Sequence, residues 1–133
     1  MSRILIVEDD TVSRLLLKGM LASYGSCDVA LNGKEGLDAF IAAHDERQPY
    51  SLVCLDIMMP VMDGQEVLRR LRAHEDKLGI QGLDGVKVLM ITALDDYKNI
   101  MDAFRNQCEG YVVKPIDRAK VNAQMTALGF KPR

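Results

Sequence analysis

The chain has 133 residues and a formal net charge of −2, about the size of one domain and without the excess positive charge that draws a protein to a polyanion. Hydrophobic residues make up 48% and charged residues 27%, a soluble composition, and no apolar run approaches the roughly 20 residues a membrane span needs. The opening "MSRILIVEDD" lacks the apolar stretch and cleavage site of a signal peptide, so a cytoplasmic location is expected. Three cysteines, Cys27, Cys54 and Cys108, have no metal-site or paired spacing and read as small apolar side chains in a reduced compartment.

Two periodicities alternate along the chain. "RILIV" (3–7) is continuously apolar, as in a strand covered on both faces. From Thr11 the positions Val12, Leu15, Leu16, Gly19 and Met20 recur at helical spacing. "CDVAL" (27–31) predicts a second strand, and "NGKEGLDAFIAAH" a turn and a helix with Leu37, Phe40 and Ile41 inward. "SLVCL" (51–55) predicts a third strand and 64–75 a helix burying Val67, Leu68 and Leu71. The glycine-rich stretch 76–85 reads as a solvated loop insertion. Residues 86–91 predict a fourth strand, and 95–107 a helix with Ile100, Met101 and Phe104 inward. "GYVV" (110–113) predicts a fifth strand, and 117–128 a last helix with Val121, Met125 and Leu128 on one stripe.

Five βα units with short connections imply an α/β fold, a parallel sheet with helices on both faces. The expected architecture is a flavodoxin-like (βα)5 doubly wound sheet, strand order 2-1-3-4-5. In that order the switch point, where ligands bind outside the carboxyl ends, lies between strands one and three.

Polar residues gather at those ends. Glu8, Asp9 and Asp10 follow the first strand, Asp56 the third, Thr92 the fourth and Lys114 the fifth. Taken singly, each has a local explanation: acids before a helix cap it and favour its dipole. Taken together, they converge on one rim. Three carboxylates so close cannot all stay ionised without a cation. Carboxylate oxygens, a carbonyl and waters suit a hard ion such as Mg²⁺. Lys114 supplies a counterion to Asp56, and a carboxylate so placed is a nucleophile toward phosphorus. Lys114, the Thr92 hydroxyl and backbone N–H groups would compensate the added phosphoryl oxygens.

In order, "ILIVEDD", "LVCLDIMMPVMDG", "VLMITA" and "GYVVKPI" resemble the receiver domain of bacterial two-component response regulators over nearly the whole chain. The resemblance implies Asp56 as phosphoacceptor, Asp9 as direct Mg²⁺ ligand, Glu8 acting through water and the Met58 carbonyl completing the metal ligands. It implies that Thr92 and Lys114 contact the phosphoryl group and that the Lys114–Pro115 bond is cis. Tyr111 takes the place of an aromatic switch that follows Thr92 and alters the surface of the fourth helix, fifth strand and fifth helix. Met58 and Leu94 occupy positions that tune phosphoryl lifetime, and neither side chain hydrogen-bonds water, so slow self-dephosphorylation is expected. The implied partners are a sensor histidine kinase or histidine phosphotransfer protein and a downstream protein target. Neither nucleic acid nor membrane is an expected partner, and the protein is expected to be a monomer or weak homodimer.

Only "GFKPR" follows the last helix, so residues 1–133 are expected to form a lone receiver, a phosphoacceptor acting only on its own phosphorylation and dephosphorylation. Three other readings fit less well, and the first, a degenerate receiver serving only as a binding scaffold, is opposed by the intact acids, Thr92 and Lys114. An aspartyl-nucleophile phosphatase of the haloacid dehalogenase type needs a general acid two residues after the nucleophile, where this chain has Met58. A flavodoxin-like mononucleotide binder needs a phosphate cradle where this chain has "EDD".

Overall fold

A computed structural model describes residues 2–93 and 97–133. The elements run β1 (Ser2–Val7), α1 (Thr11–Leu21), β2 (Gly25–Ala30), α2 (Gly33–Asp45), β3 (Leu52–Asp56), α3 (Gly64–Lys77), a 3₁₀ turn (Gly82–Asp84), β4 (Lys87–Thr92), α4 (Tyr97–Arg105), β5 (Gly110–Val113) and α5 (Arg118–Ala127). All neighbouring strands pair in parallel, in the order β2-β1-β3-β4-β5. The α/β class and the strand order are those the sequence predicts.

Four helices start on side-chain caps. Asp10, Asn32, Asp63 and Asp117 accept hydrogen bonds from the backbone N–H groups of Ser13, Glu35, Glu66 and Lys120, satisfying first-turn donors that have no helical partner. The acids and amide that punctuate the sequence therefore fix where α1, α2, α3 and α5 begin.

Strand residues alternate between two cores. Leu5, Val7, Val53, Leu55, Val88 and Met90 pack with Leu37, Phe40, Val67, Leu68 and Leu71 of α2 and α3. Ile4, Ile6, Leu52, Cys54, Leu89 and Ile91 pack with Leu17, Leu21, Val121 and Met125 of α1 and α5. A sheet covered on both faces needs apolar residues at every strand position, hence the unbroken runs.

Two helix faces differ from the sequence reading. In α1 the buried residues are Leu17, Met20 and Leu21, while Val12 (66%), Leu15 (64%) and Leu16 (45%) stand exposed. In α4 the buried residue is Ala103, and Met101 and Phe104 are exposed. Both helices carry apolar stripes that the sheet does not cover. Asp95, expected from the sequence to begin this helix, lies outside the described residues.

The 76–85 stretch is also more ordered at its roots than a free insertion. Asp76 and Lys77 belong to α3. Buried Glu75 accepts the Val86 N–H at 2.7 Å and pairs with Arg72 at 2.7 Å. Arg72 also pairs with Glu109 at 2.9 Å, whose carboxylate accepts the Val88 N–H at 2.7 Å. Beyond these roots the stretch is mostly exposed, Leu78 and Leu83 among its residues. The cysteines are free, the Lys114–Pro115 bond is cis, and no described helix is long and apolar enough to cross a membrane.

Candidate functional site

The β1–β3 pairing and the β3–β4 pairing carry the strand ends to one rim: Val7 lies opposite Leu55, and Asp56 opposite Ile91. Glu8 follows β1 and Asp56 is the last residue of β3. Both are buried, at 0% and 2% exposure, which is costly for carboxylates without partners. Asp9 beside them is exposed, and ligand oxygens of Glu8, Asp9 and Asp56 all lie within 4.8 Å of one another.

Asp56 is held from both sides. Its Oδ1 accepts the Met58 backbone N–H at 3.1 Å and its Oδ2 accepts from Lys114 Nζ at 3.2 Å. The same ammonium lies 3.5 Å from Glu8 Oε1. Among the described residues that buried Glu8 oxygen has no hydrogen-bond partner beyond this long ion pair. Burial, then the Asp56 carboxylate beside it, pushes the Glu8 carboxyl up to about 8. Burial works against the charge on Lys114, yet the Asp56 and Glu8 carboxylates outweigh it and raise its pKa. One ammonium thus faces three acids, and the pocket is short of positive charge.

The other expected residues sort themselves by position. Thr92 closes β4 at 1% exposure, and its carbonyl accepts the Lys114 N–H at 2.7 Å. That bond fixes the backbone carrying the lysine. Met58 approaches Asp56 through its backbone while its side chain is 65% exposed. Tyr111 is not in the carboxylate pocket. It stands partly exposed on β5, its ring edge-on to Phe104 with centroids 5.9 Å apart. Leu94 lies outside the described residues.

Two further residues belong to this region. A Cβ on Gly64 would fall 2.3 Å from the Asp56 carbonyl oxygen, so the start of α3 is pressed against the backbone of Asp56. Gln65 follows it, 7% exposed, and donates from Nε2 to the Asn99 carbonyl of α4 at 2.6 Å. The signal in the sequence was Gln65 lying one turn before buried Leu68, a polar residue on an inward stripe.

The donor set fits a hard divalent cation. All three side chains offer carboxylate oxygens, the preferred ligands of Mg²⁺, and the orphaned buried oxygen of Glu8 is a group that a cation or its water would satisfy.

The sequence profile of the response regulator receiver domain matches residues 4–126, and the chain belongs to that family, whose members are signalling phosphoacceptors that bind Mg²⁺ in an acidic pocket. Over 131 residues it is 30% identical to the transcriptional regulatory protein PcoR of Escherichia coli, covering 96% of this chain and 51% of PcoR. It is 37% identical over 114 residues to the regulatory protein VanRB of Enterococcus faecalis, covering 85% of this chain and 46% of VanRB. The chain therefore spans about half the length of these relatives. Among solved structures it resembles a chain of the Saccharomyces cerevisiae complex between the histidine phosphotransfer protein Ypd1 and the receiver domain of Ssk1. That match has a TM-score of 0.82, 24% identity and coverage of 96% of this chain and 88% of that chain.

Proposed function

We propose that Asp56 accepts a phosphoryl group from a histidine kinase or histidine phosphotransfer protein, in a Mg²⁺-dependent reaction. The observation that carries this reading is the grip on Asp56, Met58 N–H on one oxygen and Lys114 on the other, beside the oxygens of Glu8 and Asp9. A carboxylate oxygen of Asp56 attacks phosphorus, a P–O bond forms and the P–N bond to the donor imidazole breaks. The electron pair returns to the imidazole nitrogen. Water later hydrolyses the acyl phosphate and restores the carboxylate.

Each neighbour has a part. Lys114 orients Asp56 beforehand and, with the Thr92 hydroxyl, faces the phosphoryl oxygens afterwards. Asp9, Asp56 and the Met58 carbonyl would hold Mg²⁺ directly and Glu8 through water. When bound, the ion supplies charge neutralisation at the phosphoryl oxygens.

Two apolar faces suit two partners. The exposed α1 stripe of Val12, Leu15 and Leu16 fits a phosphodonor's helices, as helix-on-helix packing requires. Exposed Tyr97, Met101, Phe104 and Tyr111 form the α4–β5–α5 surface read by a downstream protein, with Thr92 and Tyr111 shifting its population between two states.

Incubation with acetyl phosphate and Mg²⁺ tests the assignment. One base-labile phosphoryl group per chain, lost in Asp56→Asn and in EDTA, is the expected result. Continuous turnover of donor would indicate a phosphatase instead, and no uptake would remove the reading.

A further inference from the structure

Helix α4 is weakly fastened by apolar contact. Its one buried residue is Ala103, the smallest of its apolar side chains, and Tyr97, Met101 and Phe104 all face outward. Against so little burial, hydrogen bonds from the body of the protein decide where the helix sits.

Gln65 supplies two of them, beside the bonds from Arg72 to the Gln107 carbonyl just past the helix at 2.7 and 3.2 Å. Its amide is 7% exposed; Nε2 donates to the Asn99 carbonyl at 2.6 Å, and Oε1 accepts from Asn106 Nδ2 at a long 3.5 Å. These partners flank two turns of α4, so one side chain of α3 touches the helix near both ends. The amide is attached to the phosphoacceptor with little slack. Gly64, its neighbour, would place a Cβ 2.3 Å from the Asp56 carbonyl oxygen and 2.8 Å from Ile57 Cα. The Gly64 N–H also donates to the Ile57 carbonyl at 2.9 Å. A movement of the backbone around Asp56 is therefore passed to α3's first turn, and from there to α4.

We propose that Gln65 is a positioning residue, an amide clasp that holds α4 in its unphosphorylated placement and couples that placement to Asp56. This deepens, and rests on, the phosphoacceptor reading. The route is separate from the Thr92–Tyr111 route, which runs along β4 and β5. Coupling is reciprocal: if the clasp opposes the phosphorylated arrangement, opening it must favour binding of a phosphoryl mimic at Asp56.

The test compares wild type with Gln65→Leu, which removes both hydrogen bonds, and Gln65→Glu, which keeps size and polarity but cannot donate to Asn99. Two readouts are used on the full chain. In the unmodified protein, hydrogen exchange of the α4 amides should accelerate roughly tenfold in both variants, the ratio corresponding to one hydrogen bond of about 1.4 kcal/mol. The concentration of beryllium fluoride giving half-saturation in Mg²⁺ should fall severalfold in both. A purely structural amide would lower the denaturation midpoint and leave the half-saturation unchanged, which would overturn the coupling. Unaltered α4 exchange in both variants would overturn the clasp. Should Gln65→Leu fail to fold, Gln65→Glu carries both readouts. A wild-type chain that ignores beryllium fluoride would sink the phosphoacceptor reading and the coupling together, while the exchange readout would still judge the clasp.

Discussion

Gly64 leaves no room for a side chain beside Asp56: a Cβ there would lie 2.3 Å from the Asp56 carbonyl oxygen. The obstacle is backbone in the last residue of β3, which cannot rotate aside as a flexible side chain does. Gly64→Ala should therefore destabilise the fold by about 3 kcal/mol, the upper end of ordinary overpacking. It should also slow phosphoryl uptake from acetyl phosphate, because relief requires the Asp56 backbone to shift. Urea denaturation and the uptake rate check both effects, and wild-type behaviour in both would refute the close approach.

Charge in the acidic pocket sets the second expectation. Glu8 is fully buried, and among the described residues one of its oxygens has no partner beyond a long 3.5 Å ion pair with Lys114, next to Asp56. Glu8→Gln removes an acid whose ionisation the pocket opposes and should stabilise the protein in EDTA at pH 7 by about 1–3 kcal/mol, the scale of an unsatisfied buried polar group. Mg²⁺ should stabilise wild type by about 2.7 kcal/mol at a hundredfold excess over its dissociation constant. The variant should respond much less. Thermal melts with and without Mg²⁺ decide; a variant less stable than wild type in EDTA would contradict the argument.

How much of this was readable beforehand depended on whether burial and chemistry pulled the same way. The central strands were legible because a doubly covered sheet forces apolar residues at each of their positions, and the rim acids were legible because no strand end needs them. The faces of α1 and α4 misled for the opposite reason. Val12, Leu15, Leu16, Met101 and Phe104 have core-like chemistry and helical spacing, yet they stand exposed. Gln65 showed only as a polar residue on an inward stripe; its partner lies 34 positions away at Asn99, and no local pattern encodes that distance.

At the far edge of the sheet, Asp28 gives a pH signature. Its Oδ2 accepts from the Tyr50 hydroxyl at 2.7 Å and from Arg3 at 2.9 Å. The Tyr50 hydrogen bond first, then Arg3, holds its carboxyl below the usual range against the opposing effect of burial. A group with a depressed folded pKa contributes stability above its unfolded value, about 3.9 for aspartate, and loses it as pH falls through the folded value. Asp28→Asn should lower the melting temperature at pH 7, and the difference from wild type should shrink as the pH is taken below the unfolded aspartate value. Parallel curves across that range would show that the contact contributes nothing.

If Asp56 takes a phosphoryl group as proposed, Met58 is placed to set how long it lasts. Its backbone N–H holds Asp56 while its thioether side chain is 65% exposed beside the site, where it offers no strong hydrogen bond to an incoming water. Met58→Asn places an amide there without disturbing packing. Self-dephosphorylation should quicken roughly fivefold, the ratio that one hydrogen bond of about 1 kcal/mol supplies. A phosphate-release assay measures it, and an unchanged decay would remove the idea.

The α1 stripe separates donor docking from chemistry. Leu15 is 64% exposed, so Leu15→Glu should change stability by less than about 0.5 kcal/mol. The small donor acetyl phosphate needs no docking face, and its rate of uptake should match wild type. On the proposed reading a phosphorylated histidine phosphotransfer protein or kinase seats its helices against α1, and a charge at the centre of an apolar contact is the kind of change that costs about 2 kcal/mol or more. Transfer from each phosphorylated protein donor of the host that serves wild type should thus fall at least tenfold. Equal losses with both donor types would place Leu15 in the fold or the pocket, and equal retention would move the docking face elsewhere.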